Sequence, residues 1–288
     1  MNGCLLKLKE SVNSLSNTEQ RVARYILENP DKISSITIGE LAEACETSKS
    51  AVVRMCKSLG YKGYKELVMM LISDLNNNNY EKFEYTDILL CDSLETIARS
   101  VCANNIKSIE NTLSIIDINE YQKAVDAIIA ADRVDFYGIG ISGLVALDAQ
   151  NKFLRIHKTS VACIDSSQQI LAASGLKKGD VAVMISYSGE TKDIVDIIDI
   201  IKDTGATVIS LTRYGKNSLS EKADIRLYIS SLETLIRSGA TGSRIAQLTA
   251  IDILFSAVVS KEYSKIKQYL DKTTIALKRN KTGRIYAE

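Results

Sequence analysis

Ser186-Tyr187-Ser188-Gly189-Glu190-Thr191 follows the apolar run Val181-Ala182-Val183-Met184-Ile185 and leads into a helical stretch. The short apolar run predicts a buried strand, and the hydroxyl-rich hexapeptide predicts the turn from its carboxyl end into a helix. Free backbone N–H groups at a helix start, together with the positive end of its macrodipole, favour an anion and above all a phosphate. The hexapeptide therefore predicts a phosphorylated ligand.

Outward from this stretch, the apolar runs Val134–Tyr137, 161–164, Val181–Ile185, 208–211 and Ile225–Ile229 are each short enough for a buried strand. Helical patterns separate most of them, which predicts an α/β fold with a five-stranded parallel sheet and helices on both faces. An apolar helix over 243–259 is expected to close one layer. The first of these strands ends in Gly138-Ile139-Gly140-Ile141-Ser142-Gly143, a G-x-G-x-x-G match, and Asp165 follows the second strand ~20 residues on. A dinucleotide reading assigns this loop to a pyrophosphate and Asp165 to a ribose, but leaves the hexapeptide without a role. In the flavodoxin-like order 2-1-3-4-5, the first and third strands are neighbours, and both loops flank one topological switch point. One phosphate could then be held by both. Ser142, Ser186, Ser188 and Thr191 are the candidate hydroxyl donors, while Gly140 and Gly189 admit close backbone approach. Serines and threonines also cap helices routinely, but two such loops at one switch point favour a ligand site.

Composition limits the alternatives. The 288 residues suggest roughly two units of ~100–200 residues. No apolar run approaches the ~18 residues of a membrane span, and Lys7, Lys9 and Glu10 do not fit a secretory leader, so a cytoplasmic protein is expected. Cys4, Cys45, Cys56, Cys91, Cys102 and Cys163 form no CxxC pair, and His157 is the only histidine, so neither a disulfide framework, a metal site nor a cofactor is expected. A net charge of +1 confines any nucleic-acid surface to a local patch. The run Asn76-Asn77-Asn78-Asn79 predicts the joint between units, since asparagines compete for their own backbone and favour turns. After it, Leu94, Ile97, Val101, Ile106, Ile109 and Leu113 fall near helical spacing, and 120–131 reads as a further helix. The expected division is 1–75 for an all-helical domain, 76–118 for a linker with connecting helices, 119–265 for the α/β domain and 266–288 for a basic tail.

The first division is all helical. Ile38-Gly39-Glu40-Leu41-Ala42-Glu43-Ala44-Cys45 reads as a short helix, Glu46-Thr47 as a tight turn, and 48–59 as a second helix opened by a capping Ser48. This spacing predicts helix-turn-helix, with Val52, Val53 and Cys56 inward and Lys49, Ser50, Arg54 and Lys57 outward. Lys49, Arg54, Lys57, Lys62 and Lys65 supply five basic residues without an acidic one, whereas Glu40, Glu43 and Glu46 precede them. A solvated three-helix bundle would also carry surface charge.

The two glycine- and serine-rich loops resemble those of the sugar isomerase (SIS) domain, over about 120–260. That resemblance implies phosphate contacts from Ser142, Ser186, Ser188 and Thr191, with Glu190 reaching a sugar hydroxyl. The segments Leu15-Ser16-Asn17-Thr18-Glu19-Gln20-Arg21-Val22-Ala23, Ile38-Gly39-Glu40-Leu41-Ala42, Ser48-Lys49-Ser50-Ala51-Val52-Val53-Arg54 and Leu59-Gly60-Tyr61-Lys62-Gly63-Tyr64 are similar to the N-terminal domain of the RpiR/MurR family of bacterial transcriptional regulators. Together the two resemblances cover nearly the whole chain. They imply a non-enzymatic regulator of carbohydrate genes controlled by a phosphosugar, contacting palindromic operator DNA as a homodimer or homotetramer. Ser48, Lys49, Ser50, Arg54, Lys57 and Lys62 are the implied DNA-contact residues. Many relatives have a histidine near Asp165-Ser166-Ser167, where this chain has serines. The alternative is an aldose–ketose isomerase, which needs a base such as Glu190 or Glu233. His157 reads instead as a helix C-terminal residue meeting the dipole.

Overall fold

Helix caps organise the first part of the chain. The computed structural model describes residues 3–76, 93–231 and 241–282, so Asn77, Asn78, Asn79, Cys91, Glu233 and the last six residues of the expected tail lie outside the described residues. Helices α1 (Cys4–Ser11), α2 (Asn17–Glu28), α3 (Pro30–Ile33), α4 (Ile38–Ala44), α5 (Lys49–Ser58) and α6 (Tyr64–Asn76) follow in order. Ser16 and Glu19 bond reciprocally at the start of α2, as Thr37 and Glu40 do at the start of α4, and Pro30 opens α3 where no helical N–H partner is needed. Leu8, Val22, Ile26, Ile33, Leu41, Val52, Met55, Leu59, Leu67 and Leu71 form one fully buried cluster.

Two compact units emerge from the chain. The first comprises Met1–Ile116, Arg213–Asn217 and Tyr228–Ala246, and the second Asp117–Thr212, Ser218–Leu227 and Gln247–Glu288. Helix α7 (Leu94–Ile115) belongs to the first, and its buried residues include Ser100, Ser108 and Thr112 while Ile106, Ile109 and Leu113 stay exposed. The Thr112 hydroxyl donates to Ser230 O at 3.1 Å and accepts the Ser230 N–H at 3.2 Å, which explains why a polar face turns inward.

After α7 the chain runs through α8 (Ile118–Ala130), β1 (Val134–Tyr137), α9 (Ile141–Leu154), α10 (Ser166–Ser174), β2 (Val181–Ile185), α11 (Lys192–Thr204), β3 (Thr207–Arg213), α12 (Ser218–Lys222), β4 (Ile225–Ile229), α13 (Thr241–Lys261) and α14 (Tyr263–Thr282). Among the described residues the sheet has four strands in the order β1-β2-β3-β4, with β1–β2 and β2–β3 parallel. Tyr137, Ala182, Met184 and Val208 pack with residues of α10, α11 and α12, including Ala173, Ile194, Ile198 and Leu219. On the opposite face of β1, Phe136 meets Phe153 of α9 at 5.2 Å between ring centroids, and Phe153 meets Phe255 of α13 at 5.7 Å. Alternation along the strand thus covers the sheet with helices on both faces.

The expected fifth strand at 161–164 is not formed. Val134 N–H and Phe136 N–H do donate to Thr159 O and Val161 O, each at 2.9 Å, but the Val161 N–H turns to Asp135 Oδ1 at 3.0 Å. A carboxylate therefore takes a donor that a ladder would use, and only the isolated bridges Arg133↔Thr159 and Phe136↔Ala162 remain. These bridges still set the segment beside β1, where the 2-1-3-4-5 order puts it.

Helix α13 departs from the expectation about apolar length: over Gly242–Lys261 it is long and apolar enough to cross a membrane, with mean hydropathy 1.3. Ala246, Ala250, Ile251, Leu254 and Val258 are its buried face in the protein. The basic segment expected as a tail from 266 is helical through Thr282.

Candidate functional site

Strands β1 and β2 are hydrogen-bonded neighbours with Tyr137 opposite Met184, so the loops that leave their carboxyl ends start side by side. The first loop is shaped by its glycines. A Cβ on Gly138 would sit 2.6 Å from Ser142 O, and one on Gly143 would sit 2.9 Å from Gly138 O, so the chain closes on itself only without side chains there. Gly140 caps α9 at φ 60°, a conformation that L side chains rarely adopt. The Ser142 hydroxyl is half-buried and accepts from Gln247 Nε2 of α13 at 3.0 Å. Gln169 is fully buried, and its Nε2 donates to Gly138 O and Cys163 O, both at 2.8 Å, which fixes the first carbonyl after β1.

The second loop is a compact set of hydroxyls. Ser186, buried, shares a hydrogen bond with Thr191 Oγ1 at 2.9 Å, and its Oγ also accepts the Gly189 N–H at 3.2 Å. Gly189 has φ 70°, which turns the chain, and the Ser188 Oγ accepts the Glu190 N–H at 3.1 Å. Thr191 is the N-cap of α11 without a side-chain cap bond. Glu190 is exposed and pairs with α12: Ser218 N–H and Oγ–H donate to its two oxygens at 2.9 and 2.6 Å, while Leu219 N–H donates to Gly189 O at 3.0 Å. Ser186, Ser188, Gly189, Glu190 and Thr191 thus occupy one loop, and Gly140 and Ser142 occupy the loop on the adjoining strand. Gln169, Gln247 and Ser218, which sequence reading missed, hold these loops in place.

Other expected chemistry is accounted for structurally. Asp165 caps α10 by accepting the Gln168 N–H at 3.0 Å, a local task distinct from holding a ribose. His157 is exposed at φ 57° and stacks on Tyr269 of α14 at 4.4 Å between ring centroids.

In the first unit, α4 and α5 pack together across a turn in which Glu46 takes φ 48°. Arg21 of α2 holds that turn, its Nη2 donating to Glu46 O at 3.2 Å. Ser48 caps α5 by accepting the Ala51 N–H at 3.2 Å, so its oxygen is engaged. Lys49, Ser50, Arg54 and Lys57 are exposed, and at ~100° per residue they share one half of the helix circumference. Ala51, Val52, Met55 and Cys56 fill the other half. Met55 takes an inward place that the expected set gave to Val53, which is half-buried and at ~100° per residue falls on the outward half, between Lys49 and Lys57. Burial among apolar neighbours pushes the Cys56 thiol up to about 12, so this cysteine serves as a packing residue. Lys62 is exposed beyond Gly60, which has φ 83°.

Residues 2–78 match the helix-turn-helix domain of the rpiR family, and residues 127–257 match the SIS domain. The chain is 41% identical over 281 residues to an uncharacterised HTH-type transcriptional regulator of Caldanaerobacter subterraneus subsp. tengcongensis, covering 98% of this chain and 99% of that protein. It is 33% identical over 258 residues to the HTH-type transcriptional regulator HexR of Pseudomonas aeruginosa, covering 90% of each. Among solved structures, Vibrio vulnificus NanR in complex with ManNAc-6P is similar at TM-score 0.60 and 26% identity, covering 95% of this chain and 97% of that one.

Proposed function

Because the chain belongs to the RpiR family of HTH-type transcriptional regulators, with a SIS domain after its helix-turn-helix domain, we propose that it binds operator DNA through α5 and releases or engages it in response to a phosphosugar. The observation that carries this reading is the pair of hydroxyl- and glycine-rich loops on neighbouring parallel strands, in one chain with a half-basic α5. The phosphate is assigned to Ser142, Ser186, Ser188 and Thr191 with the backbone of Gly140 and Gly189, and a sugar hydroxyl to Glu190. The ManNAc-6P held by NanR supports a sugar phosphate as the ligand class. For DNA, Ser48, Lys49 and Ser50 are assigned to the groove edge, Arg54 to a guanine or a phosphate, and Lys57 and Lys62 to sequence-independent affinity. A homodimer or homotetramer would read palindromic half-sites ~10 base pairs apart or a multiple of that. We assign 1–75 to DNA and 119–265 to the effector, joined by 76–118, with 266–288 as a basic end segment. The protein is assigned to the cytoplasm and no turnover is assigned to it: the Glu190 carboxylate, one candidate base, is occupied by both donors of Ser218.

The test is a titration of operator DNA, selected from random sequence, with and without glucose 6-phosphate, N-acetylmannosamine 6-phosphate or inorganic phosphate. A shift in DNA affinity with a sugar phosphate is expected, and identical affinity throughout would overturn the sensing mechanism. Ser186→Ala with Ser188→Ala should abolish the response and leave basal DNA binding intact. Arg54→Ala should do the reverse, weakening operator binding by about 1–3 kcal/mol if it reads a guanine. Sugar-phosphate turnover without a selectable operator would favour the isomerase.

A further inference from the structure

The effector loop and the end of α5 are tied to opposite ends of one short segment. At one end, Glu190 binds the N–H and hydroxyl of Ser218, and Gly189 O accepts the Leu219 N–H, so the loop after β2 grips the first residues of α12. Four residues earlier, the Tyr214 hydroxyl donates to Leu59 O at 3.0 Å. Leu59 is the C-cap of α5, where a helix leaves carbonyls without intrahelical donors. The chain between them, 214–217, passes from the first compact unit to the second between Asn217 and Ser218.

Tyr214 is held for this contact. Its N–H donates to Ile229 O at 3.2 Å, its ring packs edge-on against Tyr228 at 5.0 Å, and Lys7 Nζ lies 5.5 Å from its centroid and 5.7 Å from that of Tyr61. Tyr61 follows directly on the α5 C-cap turn, its N–H bonded to Cys56 O at 2.9 Å. An aromatic set around Lys7 thus backs the bond to α5. Gly215, at φ 118°, lets the segment pass within 3.4 Å of Ser14 Oγ at the position a Cβ would take.

We propose that Tyr214 is the positioning residue through which ligand binding reaches DNA: a sugar hydroxyl that draws Glu190 away from Ser218 loosens the start of α12, and segment 214–217 transmits that change to the Leu59 carbonyl and the end of α5. This rests on the phosphosugar reading above. Coupling of this kind needs an element with two arrangements that both sites bias, and the Glu190–Ser218 pair supplies a bond that the ligand competes for. Neither Tyr214 nor Leu59 is among the residues assigned to ligand or DNA.

Tyr214→Phe removes the bond to Leu59 and keeps the ring. Operator affinity is measured with and without glucose 6-phosphate and N-acetylmannosamine 6-phosphate, each titrated separately, alongside sugar-phosphate affinity and the urea midpoint. Wild-type protein should show a ligand-dependent change in operator affinity of about 5–150-fold, and the variant should fall close to onefold while both separate affinities hold within about twofold. Hydrogen exchange at residues 57–61 provides a second readout on the wild-type chain: sugar phosphate should change it in wild type and not in the variant. A variant that couples as strongly as wild type, or a wild type whose DNA affinity responds without any change in exchange at 57–61, overturns the role of Tyr214 and leaves the sensing function standing. A wild type that responds to no sugar phosphate overturns both.

Discussion

Thr37 and Glu40 show how single residues set the helices of the helix-turn-helix domain. Thr37 N–H donates to Glu40 Oε2 at 2.6 Å and Glu40 N–H donates to Thr37 Oγ1 at 3.3 Å, and the Thr37 donors hold the Glu40 carboxyl below its ordinary value. A folded-state value that is depressed adds stability in full above the unfolded value, near 4.5 for this carboxyl, and loses it as pH falls through the folded one. Urea midpoints should therefore drop on acidification below about that value, and Glu40→Gln should remove part of the drop; parallel pH profiles for the two proteins would contradict this. At the next helix, Ser48→Ala strips the acceptor from Ala51 N–H and should cost about 0.5–2 kcal/mol in unfolding free energy, read from the same denaturation curves. Such caps are legible in sequence because both partners lie within three residues. Glu190 and Ser218 are 28 residues apart, and Ser142 and Gln247 are 105 apart, so no local pattern could reveal that these pairs shape the loops after β1 and β2.

At the scale of elements, the β1–α9 turn carries the most exacting geometry. The G-x-G-x-x-G spacing was legible, but not which glycines the turn itself needs: the chain closes on itself at Gly138 and Gly143, while nothing lies within 4 Å of a Cβ on Gly140, whose own requirement within the fold is its φ of 60°. A methyl at Gly138 would meet backbone atoms of Ser142, which have no rotamer to retreat to, so the helix start must shift. Gly138→Ala should destabilise the protein by about 1–3 kcal/mol and abolish the thermal stabilisation given by a sugar phosphate. A variant that keeps that ligand-induced shift would show that the close turn is not part of the ligand site. β2 and the middle of β3 were readable as short apolar runs because burial on both faces leaves no alternation to misread, whereas β4 alternates, with Arg226 exposed. The run at 161–164 shares that pattern, yet hydropathy carries no information on which acceptor the Val161 N–H chooses, and the Asp135 carboxylate outcompeted a strand.

For the whole molecule, the compact units are discontinuous in the chain. Arg213–Asn217 and Tyr228–Ala246 group with Met1–Ile116, through bonds such as Ser230 Oγ–H to Glu10 Oε1 at 2.9 Å and Tyr214 to Leu59. Periodicity reports which residues face inward on one element and is silent on bonds spanning 220 residues of chain. This interleaving bears on how a regulator of this kind responds. Binding equilibria are linked, so if a sugar phosphate changes operator affinity by some factor, saturating operator must change sugar-phosphate affinity by the same factor and in the same direction. Calorimetric titration of glucose 6-phosphate or N-acetylmannosamine 6-phosphate into free and operator-bound protein supplies one ratio, and operator titration with and without the sugar supplies the other. Equal ratios at several protein concentrations place the response inside one assembly of fixed size. Ratios that diverge as the protein is diluted would mean that the ligand acts by changing the association of chains, and would remove the need for any path between Glu190 and α5.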